Sequence, residues 1–117
     1  MLKDIETQAI KGAVNTEIFQ ELLYRYSHIG LIEKGIELCN DIFEYPLTIF
    51  PVTEVDIHIA IELIEEHKGA HVKPRDAIHA ATLKNNKIEN LISADKDFDN
   101  FDFITRIDPK DYTPKNK

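Results

Sequence analysis

The sequence predicts a single-domain α/β fold with a mainly parallel sheet. Four short segments of aliphatic, β-branched or aromatic residues alternate along the chain with longer segments in which apolar residues recur at helical spacing. No two-residue turn joins two short segments directly, and helices separate most of them, which implies crossover connections. Strands that are connected through helices pair in parallel. A length of 117 residues also corresponds to one domain.

The N-terminal half of the chain contains three predicted helices and two predicted strands. The helices cover residues 2–10, the stretch between Thr16 and Gly30, and residues 31–45, and the strands cover residues 13–15 and 47–52. Thr16 is expected to cap the second helix, because a threonine side chain at that position accepts a hydrogen bond from the first turn. The apolar face of the third helix is formed by Ile32, Ile36, Cys39 and Phe43.

The C-terminal half continues the alternation with two helices and two strands. The helices cover residues 53–67 and 74–85, and the strands cover residues 90–94 and 103–107. Thr53 followed by Asp56 resembles a capping box, in which two side chains bond reciprocally to backbone amides. Pro74 suits the first turn of the second helix, where its missing amide proton is not needed. The core candidates of the helix predicted over residues 53–67 are Val55, Ala60, Leu63 and Ile64.

Composition and charge restrict the function classes. With 43% hydrophobic and 30% charged residues, the chain is an ordinary globular protein rather than a disordered or fibrous one. No apolar run reaches the roughly 18 residues of a membrane span. The lone Cys39 cannot form an internal disulfide, and a free thiol suits the cytoplasm, which is the expected location. A net charge of −7 argues against a protein that only contacts phosphates, but less against a nuclease whose carboxylates hold divalent ions.

Three aspartates occupy positions where parallel sheets form ligand sites. Asp95 and Asp97 directly follow a short apolar strand, and Asp76 lies in the first turn of the helix that begins near Pro74. Carboxylates that converge at one sheet edge repel each other without a cation, and Mg²⁺ or Mn²⁺ prefers such oxygen ligands. An ion of this kind lowers the pKa of a bound water and offsets charge on phosphoryl oxygens, which suits phosphodiester hydrolysis. Glu21 is a fourth candidate, because it lies at the margin of the apolar stripe of its helix.

Each of these carboxylates also has a purely structural interpretation. An aspartate in a first helical turn interacts favourably with the helix dipole, which alone would explain Asp76. Asp95 and Asp97 are common residue types in turns. Glu21 would then be an ordinary solvated carboxylate at a helix edge. The metal-site hypothesis therefore rests on the combination of acids rather than on any single one.

Two motifs in the last third of the chain carry a resemblance to a known family. They are Arg75-Asp76-Ala77 followed by Ala80-Ala81, and Ser93-Ala94-Asp95-Lys96-Asp97-Phe98. This combination closely resembles the C-terminal half of PIN-domain proteins, especially prokaryotic VapC-type toxins. Upstream, residues 15–23 are similar to the family segment that carries its second acidic residue, which corresponds to Glu21. Residues 106–109 resemble the last strand of the family.

The resemblance implies a three-layer α/β/α domain over residues 1–109, followed by a flexible tail over residues 110–117. It also implies a metal-dependent endoribonuclease in which acidic side chains hold Mg²⁺ or Mn²⁺. Toxins of this family are restrained by a small antitoxin protein, and they commonly pair as homodimers. The catalytic and metal-binding residues that the resemblance assigns are Glu21, Asp76, Asp95 and Asp97.

One part of the family pattern is absent from the sequence. PIN domains begin with a strand that bears the first metal-binding aspartate, whereas this sequence starts at the helix that precedes the second strand. Met1 would then be an internal methionine of a longer protein, or a second copy would cover the open strand edges. A third expectation is a domain without activity that acts as a protein-interaction module through residues 16–45. A nuclease acting on DNA is a further alternative, since only the resemblance favours RNA.

Overall fold

The structure is a computed structural model that describes residues 12–111. In order, it contains strand β1 (Gly12–Asn15), helix α1 (Glu17–His28), helix α2 (Ile32–Glu44), strand β2 (Leu47–Phe50), helix α3 (Glu54–Glu66), helix α4 (Pro74–Asn85), strand β3 (Asn90–Ile92) and strand β4 (Thr105–Ile107). Three short 3₁₀ helices cover Lys68–Ala70, Lys96–Asn100 and Pro109–Asp111. The helix predicted over residues 2–10 and the predicted tail beyond residue 111 lie outside the described residues.

The chain forms two compact units. Among the described residues, the first unit comprises residues 12–51 and the second comprises residues 52–111. The described part of the first, residues 12–51, is called the N-terminal unit below, and residues 52–111 are called the C-terminal unit. Each unit contains two parallel strands, β1 with β2 in the first and β3 with β4 in the second. The predicted α/β class with parallel pairing is therefore confirmed.

In the N-terminal unit, α1 packs against α2. Gly35 of α2 is buried at this contact, and a Cβ atom there would lie only 2.9 Å from the Cβ atom of Tyr26 on α1. The missing side chain of Gly35 therefore sets how closely the two helices approach. The side of α2 that bears Gly35 faces α1. The predicted apolar face of α2 is therefore only partly buried. Cys39 is buried, whereas Ile32 and Ile36 are 39% and 41% exposed.

The start of α1 differs from the predicted cap. Thr16 occupies the N-cap position with helical backbone angles (φ −65°, ψ −20°), and its side chain makes no capping hydrogen bond. The residue before it takes this role, because Oδ1 of Asn15 accepts a hydrogen bond of 2.9 Å from the amide of Glu17. The predicted helix is present, but its capping residue lies one position earlier.

The C-terminal unit has a continuous hydrophobic core between α3, α4 and the segment that follows β3. Its buried members are Ala60, Leu63, Ala77, Ala80, Ala81, Phe98, Phe101 and Ile104. The three alanines of α4 are 0% exposed, so only methyl groups extend from the backbone of this helix into the core. Ala60 and Leu63 confirm the predicted core face of α3, and Ile64 packs against the same cluster.

The first turn of α3 is fixed by the predicted capping box. Oγ1 of Thr53 accepts a hydrogen bond of 3.3 Å from the amide of Asp56, and Oδ2 of Asp56 accepts one of 2.9 Å from the amide of Thr53. Asn85, the last residue of α4, donates from Nδ2 to Oδ1 of Asp56 at 2.9 Å. These bonds turn Asp56 inward to 1% exposure and leave Val55 54% exposed. The capping prediction is confirmed, and the core assignment of Val55 is wrong.

Both strands of the C-terminal unit are shorter than predicted. β3 ends at Ile92 rather than at residue 94, and β4 begins at Thr105 rather than at residue 103. The amide of Ser93 still donates to the carbonyl of Ile107 at 3.0 Å, after which the chain leaves the ladder for a 3₁₀ turn. Within residues 12–111, no helix combines the length and apolarity that crossing a membrane requires.

Candidate metal centre

Asp76 occupies the third position of α4, and the burial of that helix carries its side chain into the interior. Pro74 is the first helical residue, and Ala77 continues the buried face directly after Asp76. Asp76 is 5% exposed, and its Oδ2 atom has no hydrogen-bond partner among the described residues. A buried carboxylate oxygen without a partner is destabilising, and a water molecule or a metal ion at this point would satisfy it.

Asp95 and Asp97 lie where β3 gives way to the 3₁₀ helix Lys96–Asn100. The amide of Asp95 donates to Oγ of Ser93 at 3.1 Å, and Oδ1 of Asp95 accepts from the amide of Asp97 at 2.9 Å. Asp95 is half-buried and Asp97 is exposed. These local bonds hold both carboxylates just past the carboxyl end of a parallel strand, which is where the sequence predicts them.

The three aspartates come together. One carboxylate oxygen from each of Asp76, Asp95 and Asp97 lies within 4.8 Å of the other two. The oxygen shell around a divalent ion such as Mg²⁺ or Ca²⁺ is roughly 4 to 5 Å across. The three side chains therefore fit a single ion, and they supply the hard oxygen ligands that Mg²⁺ and Mn²⁺ prefer.

The electrostatics of the cluster also favour a cation. Burial raises the pKa of Asp76 above its ordinary value, and the neighbouring carboxylate of Asp95 raises it further. The positive charges of Arg75 and Lys73 act in the opposite direction, and Asp97 adds to the rise. Nζ of Lys73 lies 3.8 Å from Oδ2 of Asp97. The net direction of the pKa shift is upward, and burial of Asp76 is its largest cause.

The fourth predicted acid belongs to the other unit. Glu21 lies on α1 in the N-terminal unit, where it is half-buried. This degree of enclosure agrees with its predicted place at the margin of an apolar stripe. Its role at a metal site stays a prediction that rests on the family resemblance.

Two residues at this site, Ser93 and Lys73, were given no individual role from the sequence. Ser93 holds the amide of Asp95, and a serine two residues before an aspartate at a strand end is the signal that predicts such a turn. Lys73 neighbours the cluster from the N-cap position of α4. A basic residue directly before a helix-starting proline carries no comparable signal.

The family follows from a comparison of the sequence with known domains. The family model described as PIN domain matches residues 2–104. The chain belongs to the PIN domain family. This match confirms the resemblance drawn from the motifs around Asp76 and Asp95. A comparison with curated protein sequences finds no match.

A solved structure supports the fold of this PIN domain. It is described as a toxin-antitoxin complex from Klebsiella pneumoniae, and one of its chains superposes on this chain with a TM-score of 0.58. The two chains are 18% identical, and the similarity covers 85% of this chain and 80% of that one. At this identity the likeness concerns the fold, and it agrees with the PIN assignment over most of the chain.

Proposed function

We propose that this PIN domain is a divalent-metal-dependent endoribonuclease that hydrolyses phosphodiester bonds of RNA. The observation that carries this proposal is the convergence of three carboxylates, one of which has a buried oxygen without a hydrogen-bond partner among residues 12–111. Asp76, Asp95 and Asp97 would hold Mg²⁺ or Mn²⁺. When bound, such an ion supplies an activated water molecule and offsets charge on phosphoryl oxygens.

The side chains in and around the cluster have different roles in this proposal. Asp76 is fixed by its place on a buried helix, whereas Asp97 is exposed and carries its carboxylate toward solvent. Lys73 and Arg75 place positive charge near Asp76, which favours the approach of a substrate phosphate. Local positive charge is needed because the whole chain has a net charge of −7, which repels RNA at long range.

Calorimetric titration with Mn²⁺ tests the metal site directly. We expect the wild-type chain to bind Mn²⁺ and Asp76→Asn to lose more than about 100-fold in affinity, since even outer-sphere partners contribute about 10- to 100-fold. Asp102→Asn is the matched control, because it removes the same charge from an exposed position of the same unit. Equal affinities of the two variants would contradict the assignment of Asp76 as a ligand.

Cleavage assays separate metal binding from nuclease activity. Labelled single-stranded RNA and DNA of the same sequence are incubated with the wild-type chain, Asp76→Asn and Glu21→Gln, with Mn²⁺ and with a chelator. We expect metal-dependent cleavage of RNA by the wild-type chain and a loss of cleavage in both variants. A folded wild-type chain that binds Mn²⁺ but cleaves neither nucleic acid would contradict the nuclease proposal.

The surface of α1 and α2 favours a protein partner and a second candidate function, a non-catalytic interaction module. On or directly after these helices, Tyr24, Ile29 and Phe43 are 63%, 59% and 61% exposed, and such side chains contribute to an interaction surface where they form one patch. The solved structure of similar fold comes from a toxin-antitoxin complex. We propose on this basis that an antitoxin-like protein binds this chain and that the chain forms a homodimer.

Sedimentation of purified variants tests the homodimer. We expect Ile29→Glu to shift the wild-type dimer toward a monomer. Ile61→Glu on α3 is the matched control, because Ile61 has the same residue type and nearly the same exposure, 60% against 59%. A dimer that persists in Ile29→Glu would exclude the surface around Ile29 as the dimer interface.

The interaction module makes a different prediction from the nuclease. A chain that binds a protein partner but no Mn²⁺ would favour the interaction module.

A further inference from the structure

A single guanidinium group bonds to both ends of the loop that carries Asp95 and Asp97. Arg106 lies in β4, and its side chain is only 14% exposed. Its Nη1 atom donates to the carbonyl oxygen of Ser93 at 3.1 Å. Its Nε and Nη2 atoms donate to Oδ1 and Oδ2 of Asp99 at 2.9 and 3.3 Å. Residues 93–99, here called the acidic loop, are therefore held at their first and last residues by one side chain.

Two further hydrogen bonds connect Ser93 to Asp95 and Asp95 to Asp97. Ser93 accepts at its Oγ atom from the amide of Asp95, and Asp95 accepts at Oδ1 from the amide of Asp97. A displacement of Ser93 therefore changes the position of both aspartates. The Arg106 contact lies at the start of this sequence of bonds.

The geometry requires an arginine rather than any cation. A planar guanidinium group donates two parallel hydrogen bonds to one carboxylate and keeps a further donor for a carbonyl oxygen. Arg106 uses both options, and its Nη1 atom also lies 3.8 Å from Oδ2 of Asp108.

We propose that Arg106 is a positioning residue that holds the acidic loop in the shape in which Asp95 and Asp97 bind a metal ion together with Asp76. It acts through Ser93 and Asp99. This inference rests on the proposed metal site, and it adds the requirement that the site is shaped before the ion binds. Partners outside the direct ligand set commonly tune metal affinity in this way.

Asp99→Ala tests the proposal, with Asp102→Ala as its matched control. Both substitutions remove an exposed carboxylate from the same stretch of chain, but only Asp99 bonds to Arg106. We expect Asp99→Ala to weaken Mn²⁺ binding about 10-fold in calorimetry, while Asp102→Ala binds as the wild type does. In the metal-free protein, the ¹⁵N order parameters of residues 95–99 should fall from about 0.85 toward 0.6 in Asp99→Ala alone.

Arg106→Lys separates geometry from charge. A lysine keeps the positive charge, but its compact ammonium group cannot bond to Ser93 and to both oxygens of Asp99 together. We expect Arg106→Lys to lose Mn²⁺ affinity about as much as Asp99→Ala does. Wild-type affinity in Arg106→Lys would overturn the proposal, because charge alone would then be sufficient.

The order parameters of the metal-free protein test the role of Arg106 independently of metal binding. Equal order parameters and equal Mn²⁺ affinities in Asp99→Ala and Asp102→Ala would overturn the positioning role. If the wild-type chain binds no Mn²⁺, the proposed metal site fails. The metal-free order parameters of Asp99→Ala then still decide whether Arg106 holds the acidic loop.

Discussion

The first turns of α3 and α4 place an aspartate at the same helical position with opposite results. Asp56 and Asp76 are each the third residue of their helix, and they are 1% and 5% exposed. Both carboxylate oxygens of Asp56 accept hydrogen bonds, one from the amide of Thr53 and one from the side chain of Asn85. For Asp76, the structure of residues 12–111 provides no hydrogen-bond partner at Oδ2.

This difference separates an acid that stabilises the fold from an acid whose proposed role is to bind a metal ion. A buried carboxylate with satisfied oxygens fixes a helix start and ties it to a neighbouring helix. The carboxylate of Asp76 instead lies beside that of Asp95, and burial and this neighbour raise its pKa. Perturbed acids that lack structural partners concentrate at functional sites. Helical position and residue type are the same in the two turns, so the bonding partners decide the role.

The largest expected effect in this comparison is the loss of stability in Asp56→Ala. The substitution leaves the amide of Thr53 and the side-chain amide of Asn85 without an acceptor, and it removes one of the two reciprocal hydrogen bonds of the capping box. We expect the free energy of unfolding to fall by about 2–3 kcal/mol, as measured by urea denaturation. Asp76→Ala is the control at the equivalent position, and we expect a change below about 1 kcal/mol in the presence of a chelator. Similar losses in the two variants would remove the distinction.

A smaller effect is expected from Asn85→Asp, which makes the surroundings of Asp56 resemble those of Asp76. The Nδ2 donor that lies 2.9 Å from Oδ1 of Asp56 is replaced by a second carboxylate. We expect a loss of about 1–2 kcal/mol at pH 7, because the buried oxygen then faces a like charge. Acidification should reduce this loss, since the pair takes up a proton. Asn90→Asp introduces the same charge at an exposed position, and a loss of equal size there would show that net charge alone is responsible.

Local chemistry explains why α3 and α4 could be predicted closely from the sequence. The Thr53–Asp56 box and Pro74 are specific signals for helix starts, and both helices begin where these residues predict. The aspartates after β3 were predictable for a related reason, because carboxyl ends of parallel strands bring polar residues together. The PIN motifs then identified the family. The structure brings Asp76, Asp95 and Asp97 together, and the roles of these three residues and of Glu21 as metal ligands stay predictions.

Contacts between elements explain what the sequence pattern did not predict. Asn15 and Thr16 are adjacent residues of good capping types, and only the backbone angles at Thr16 decide between them. The inward side of α2 is set by the close approach at Gly35 rather than by hydropathy. Arg106 bonds to residues 7 and 13 positions away in the chain, so no local pattern could reveal its role.

The smallest expected change in stability is that of Asp76→Asn in the absence of metal. Oδ2 of Asp76 has no hydrogen bond to lose among the described residues, and the substitution removes a buried negative charge that lies beside Asp95. We expect the free energy of unfolding at pH 7 to stay the same or to rise by less than about 1 kcal/mol. Urea denaturation with a chelator measures this change, and Asp102→Asn controls for the loss of net charge. A loss as large as that of Asp56→Ala would show that the fold depends on Asp76.

The difference in stability between Asp76→Asn and the wild type should depend on pH, because the pKa of Asp76 is raised in the folded chain. The pKa of Asp76 is raised in the folded chain above the value of about 3.9 expected in the unfolded chain. Between the two values the folded chain binds more protons, so the stability that protonated Asp76 contributes is lost as pH rises. Asp76→Asn lacks this loss. Its stability relative to the wild type should therefore grow from the unfolded pKa upward and become constant above the folded one. If the stability of the wild type instead increases relative to that of Asp76→Asn as pH rises, the fold stabilises the Asp76 carboxylate. The contrast between the starts of α3 and α4 would then disappear.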